Sequence, residues 1–140
     1  RLMEAEASQV HADWFRRFPE LYAPQTAELI ERGGEIPPQQ TKQDRAGCKT
    51  LYTELTELMD KHRIDVWISP SAPGPAPRRL AGTGDPIMNL PWTHAGLPTL
   101  GVPAGRNADG LPMGLQLTGR WLADEDLLSC GHEIARVVAS

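Results

Sequence analysis

The sequence predicts an α/β fold in which helices cover a few strands, two of them joined as an antiparallel hairpin. Three observations lead there. Apolar residues recur at spacings of three and four as far as Lys61, and again after Asp124. Between these stretches the period changes to short, nearly continuous apolar runs at 66–68, 97–104 and 111–118. Glycine and proline fall between the runs every few residues, so residues 82–119 are too apolar for a linker and too broken for one helix.

The elements follow in order. Met3, Ala7, Val10, Trp14 and Phe18 form one apolar stripe on a first helix, which Pro19 ends. Pro24 stands near the start of a short helix, residues 25–32, with Gly33 and Gly34 as its stop. Ile36, Pro37 and Pro38 make an extended connector. The longest helix runs from Gln39 to about Lys61, with Cys48, Leu51, Tyr52, Leu55, Leu58 and Met59 on its apolar face. Val66, Trp67 and Ile68, closed by Ser69 and Pro70, read as a buried strand. Pro73, Pro75 and Pro77 keep the next segment out of a sheet interior. Residues 82–97 read as one long loop, and residues 105–110 as the turn of the hairpin. Asp124 caps a last helix whose inner face is Leu127, Leu128, Gly131, Ile134, Ala135 and Val138.

Composition narrows the function classes. A net charge of -4 gives no electrostatic reason to expect nucleic acid or an anionic membrane as partner. No apolar run is long enough to span a bilayer, and no signal peptide opens the chain. Cys48 and Cys130 fall in separate helical patterns, which fits a reduced, cytoplasmic setting. Arg1 stands before a pattern that is already helical, without initiator Met or capping residue, so a longer polypeptide is expected upstream.

Catalytic signatures are missing: there is no G-x-S-x-G elbow, phosphate loop, G-x-G-x-x-G or H-E-x-x-H. His11, His62, His94 and His132 lack metal-ligand spacing among themselves or with the cysteines. Ser69 and Ser71 end a strand, but neither has a neighbouring base, and Lys42, Lys49 and Lys61 all lie on the long helix. That leaves residues 82–97. Gly82 and Gly84 permit close backbone approach, and Asn89, Thr93 and the indole N–H of Trp92 put polar groups on an apolar segment. The mixture suits the wall of a small-molecule pocket, but on the residues alone a structural loop that packs Trp92 into a core is the favoured reading.

Residues 65–77, D-V-W-I-S-P-S-A-P-G-P-A-P, and 83–98, T-G-D-P-I-M-N-L-P-W-T-H-A-G-L-P, resemble the C-terminal third of the amidase signature family. So do G-L-P-M-G-L-Q-L-T-G at 110–119 and D-E-D-L-L at 124–128. The resemblance implies that residues 1–140 are the C-terminal segment of a mixed-sheet amidase signature domain. Residues 1–64 would be mainly helical, and 65–140 would supply a strand, a proline-rich loop, the hairpin and a final helix. It implies hydrolysis of carboxamides by a Ser–cis-Ser–Lys triad, without a cofactor. The triad regions have no counterpart here, so no catalytic residue is carried over and the chain alone would be inactive. Asn89, Trp92 and Thr93 are the implied substrate-binding positions, acting on a small-molecule amide together with the missing N-terminal part. His94 departs from the aliphatic residue expected there, and Gly131 from an alanine. Two alternatives stay open: a non-catalytic binding or assembly module, and part of a transamidating amidotransferase. Strands separated from a larger sheet expose an edge, so a homo-oligomer is also expected.

Overall fold

The computed structural model describes residues 1–77 and 84–138. The chain forms two compact units, Arg1–Lys49 and Thr50–Ser140. Gly82 and Thr83 lie outside the described residues.

In the first unit α1 (Leu2–Arg17) and α2 (Pro24–Gly34) pack as an antiparallel pair, joined through a 3₁₀ turn at Pro19–Leu21. Ala5 and Ile30 are buried between them. Gly33 is not a helix stop: it is buried within α2, and a Cβ there would lie 2.0 Å from the carbonyl oxygen of Glu4. Arg32 closes this end by donating to Glu4 Oε1 at 3.0 and 3.2 Å. At the other end Tyr22 OH meets His11 Nδ1 at 2.9 Å, and the rings of Phe15 and Tyr22 meet edge to face. The expected stripe on α1 faces elsewhere. Met3, Val10 and Trp14 are 67, 69 and 57% exposed, because small residues set this crossing and the large apolar ones are left outside.

The first part of α3 (Pro38–His62) belongs to the same unit. Asp44 there accepts from Arg1 Nε at 2.6 Å and from Gln40 Nε2 at 3.0 Å. The hydrogen bond from Arg1 is the main cause that holds its carboxyl at about 2, below the usual 3.8. A depressed carboxyl pKa stabilises the fold above the ordinary value and loses that contribution as pH falls through the depressed one. Acid titration followed by circular dichroism should therefore show wild type losing stability between pH 3.8 and about 2 more steeply than Asp44→Asn. Equal slopes would show that the contact contributes nothing.

The second unit holds the sheet. β1 (Trp67–Pro70), β2 (Thr99–Arg106) and β3 (Pro112–Thr118) lie in the order β1-β3-β2, with both pairings antiparallel. The hairpin turn forms where residues 105–110 predict it. Asn107 Oδ1 accepts from the backbone N–H groups of Asp109 and Leu111, at 3.0 and 2.8 Å, which folds the loop back on itself. α5 (Asp124–Val138) covers one face of the sheet. Leu127 meets Val102 and Leu117 there, with Val66, Leu100, Ile134 and Ala135 packed around them. Gly131 lets the helix approach Leu100 and Leu117.

Several expectations need correction. Ala123, whose carbonyl accepts from Leu127 N–H at 3.0 Å, precedes α5, and Asp124 belongs to the acidic first turn instead of capping. Leu128 is exposed, since it stands one residue round the helix from the buried Leu127. On α3, Met59 is buried but Leu58 is exposed for the same reason. Ile68 is also exposed, because β1 is an edge strand among the described residues. Residues 84–97 are not one loop. A 3₁₀ turn at Pro86–Met88, capped by Asp85, leads into α4 (Leu90–Ala95). Gly96, at φ 70°, ends α4: its N–H reaches Thr93 O, and Leu97 N–H reaches Trp92 O.

Candidate functional site

Strand register decides what the second face of the sheet carries. Side chains alternate along a strand, so the pairs Leu100–Leu117 and Val102–Leu115 point towards α5. The opposite face then carries Trp67 and Ser69 from β1, Thr99 and Gly101 from β2, and Gln116 and Thr118 from β3. Gln116 and Thr118 are buried although both are polar.

α4 and the turn before it meet this face. The ring of Trp92 stacks on Trp67, with centroids 6.3 Å apart and planes at 30°. Gln116 Nε2 donates to Asn89 Oδ1 at 2.9 Å. Among the described residues the buried side-chain atoms without a partner are Trp67 Nε1, Ser69 Oγ, Trp92 Nε1, Gln116 Oε1 and Thr118 Oγ1, and all belong to this cluster. A concentration of unpaired polar atoms in one place is unusual for a folded interior. Two are pure donors, one is a pure acceptor and two are hydroxyls, and none carries a charge. These atoms are enclosed between α4 and the sheet, which makes this the polar part of the interior among the described residues.

Of the three positions expected to bind substrate, Asn89 and Trp92 come together on this wall. Thr93 is exposed one position further along α4. Sequence reading missed Trp67, Ser69, Gln116 and Thr118 as members of the cluster. The available signal was the polar alternation in Gly114-Leu115-Gln116-Leu117-Thr118, which reads as a solvent-facing side until α4 is placed over it.

Among the described residues the wall holds no activated nucleophile. Ser71 Oγ donates to the carbonyl of Gly114 at 3.1 Å, which occupies its proton. Ser69 Oγ is buried without a basic partner. No group of three His, Cys, Asp or Glu side chains able to hold a metal ion occurs among the described residues. A separate cleft of about 270 Å³ lies beside α5, lined by Asp65, Arg120, Asp126 and Cys130 among others. Arg120 is committed there, donating to Asp60 Oδ1 at 2.7 Å and to Ile64 O at 3.4 Å.

The chain belongs to the amidase family, whose model matches residues 3–128. It is similar to a glutamyl-tRNA(Gln) amidotransferase subunit from Nostoc sp., 42% identical over 91 residues, covering 60% of this chain and 18% of that protein. The corresponding subunit from Gluconobacter oxydans is 37% identical over 83 residues, covering 54% of this chain and 17% of that protein. A crystal structure described as an amidase superimposes with a TM-score of 0.88 at 26% identity, over 99% of this chain and 34% of that one. The peptide amidase of Stenotrophomonas maltophilia, at 19% identity and a TM-score of 0.67, shares the fold over 91% of this chain and 27% of its own. The chain thus spans under a fifth of these curated relatives and about a third of these solved structures. The α/β architecture is that of the amidase signature enzymes. No helix among the described residues is long and apolar enough to cross a membrane.

Proposed function

We propose that these 140 residues are the C-terminal segment of an amidase signature domain that hydrolyses carboxamides, releasing a carboxylate and ammonia or an amine. Residues 65–140 would supply sheet core and one wall of the substrate pocket, and residues 1–64 further helices of the same domain. The nucleophile would come from the rest of the polypeptide and attack the amide carbonyl, while the wall described above orients the acyl part. Asn89, Trp92 and Thr93 are the proposed substrate-binding residues: Asn89 as a polar contact, Trp92 as an apolar surface, and Thr93 as a hydroxyl contact. The observation that carries this reading is the match of the amidase family model to residues 3–128, together with an exposed Asn89 that the buried Gln116 holds against an uncharged sheet face. A carboxylate or phosphate ligand would call for cationic groups, and the residues of this cluster include none.

A reducing, cytoplasmic setting, free of nucleic acid and membrane, goes with this reading, as does pairing between copies through open sheet edges. A second reading has a specific support, the 37–42% identity to amidotransferase subunits. In that case the released ammonia would pass to an acceptor while water still takes the acyl group.

Ammonia and amine release from a panel of carboxamides tests both readings, using the full-length polypeptide and the isolated chain side by side. The expected result is turnover by the full-length protein and none by the chain alone. Release by the isolated chain would overturn the proposal. Full-length turnover that rises several-fold when an ammonia acceptor is supplied would favour transamidation.

A further inference from the structure

We propose that Gln116 is a positioning residue that fixes the polarity of Asn89, so that Asn89 meets the substrate as a hydrogen-bond donor. The inference rests on the reading of Asn89 as a pocket-wall residue and adds what chemistry it recognises. Gln116 stands on the central strand, 5% exposed, which leaves it little surface for direct contact with substrate. Its Nε2 donates to Asn89 Oδ1 at 2.9 Å, whereas Asn89 is exposed. With Oδ1 engaged inward, the end of Asn89 left for a ligand is the Nδ2 amino group, which offers only N–H donors.

The opposite polarity is less favourable. Turning both amides over would keep one hydrogen bond but leave both N–H donors of Gln116 buried without a partner, in place of one N–H and the carbonyl oxygen. Unpaired buried N–H groups are the rarer and costlier case. The recognised group is therefore an acceptor, a carbonyl, ether or hydroxyl oxygen on the substrate, adjoining the apolar surface of Trp92. Gln116 never touches it and acts only through Asn89.

Three substitutions in the full-length enzyme separate these roles. Asn89→Asp keeps an oxygen for Gln116 to bond and replaces the outward N–H groups with a charged, acceptor-only carboxylate oxygen. Gln116→Met keeps the buried volume and removes the clamp, and Asn89→Ala removes both functions. For Asn89→Asp the expected effect is a rise in KM of about tenfold or more, from one lost hydrogen bond and the repulsion of the substrate's acceptor by the carboxylate, with kcat within about threefold. Gln116→Met should raise KM several-fold in the wild-type background and have no further effect in Asn89→Ala, because its action passes through Asn89. Wild-type KM in Asn89→Asp, or additive effects of Gln116→Met and Asn89→Ala, would overturn the assignment. Should Gln116→Met fail to fold, Asn89→Asp still decides, since its residue is on the surface and its internal hydrogen bond is retained. A wild-type enzyme that releases nothing from any amide would instead overturn the underlying functional reading.

Discussion

Gly33→Ala should separate α1 from α2 and cost about 1–2 kcal/mol of stability, net of alanine's better helix preference. The new Cβ would sit 2.0 Å from the carbonyl oxygen of Glu4 and 2.5 Å from its carbon, with Ser8 Cβ at 2.9 Å. Two of these atoms are backbone held in α1, so relief requires the helix itself to move. Overpacking of this kind costs about 1–3 kcal/mol, occasionally more, and alanine's higher helix preference returns only ~1 kcal/mol. Gly131→Ala is the informative contrast. Its closest neighbour, Leu100 Cδ2 at 2.2 Å, is the tip of a side chain that can change rotamer. Helix preference and crowding then nearly cancel, and a net change within about 1 kcal/mol is expected. Thermal unfolding by circular dichroism, with hydrogen exchange on the α1 and α2 amides, checks both. Equal losses at the two glycines would contradict the close crossing in the first unit.

Leu117→Ala should be the most damaging single change in the second unit. Leu117 is completely buried on the central strand, against Val102 and Leu127, and α5 approaches it at Gly131. A large-to-small change at such a position costs about 2–5 kcal/mol, from lost transfer energy and a cavity its neighbours fill poorly. Leu117 pairs in register with Ile68 on one side and Leu100 on the other, so both strand pairings feel the loss. Ile68→Ala, at a position 58% exposed, should cost under about 1 kcal/mol. Denaturant titration reads the difference as a shift in midpoint. An Ile68→Ala effect as large as that of Leu117→Ala would mean that α5 does not carry the core.

These two sites show how far the fold was legible beforehand. The helices follow from three- and four-residue periodicity, and the hairpin from a turn cluster whose Asn107 does what turn asparagines do. The face of α1 was misread because the stripe rule assumes that the largest apolar residues point inward. At a crossing set by Ala5 and Gly33 the packing face is instead the small one. α4 has Pro91 just inside its start and Gly96 at its end, both helix signals. Its residues are too few for an amphipathic period to show above the surrounding breakers. Gln116 was invisible for another reason. A polar residue between two leucines on a strand is the ordinary mark of a solvated face, and its burial depends on Asn89 and Trp92, which are distant in sequence. Local pattern cannot carry such a contact. Of the wall, only the residues on α4 and the turn before it could be nominated in advance.

If this chain shapes a pocket whose nucleophile it does not contain, covalent labelling should say so most directly. The full-length polypeptide and the isolated chain would each be treated with a serine-reactive fluorophosphonate, and the labelled peptide mapped by mass spectrometry. The expected result is one stable adduct in the full-length protein, on a serine outside these 140 residues, and no adduct in the isolated chain. Stoichiometric labelling of Ser69 or Ser71 would contradict it.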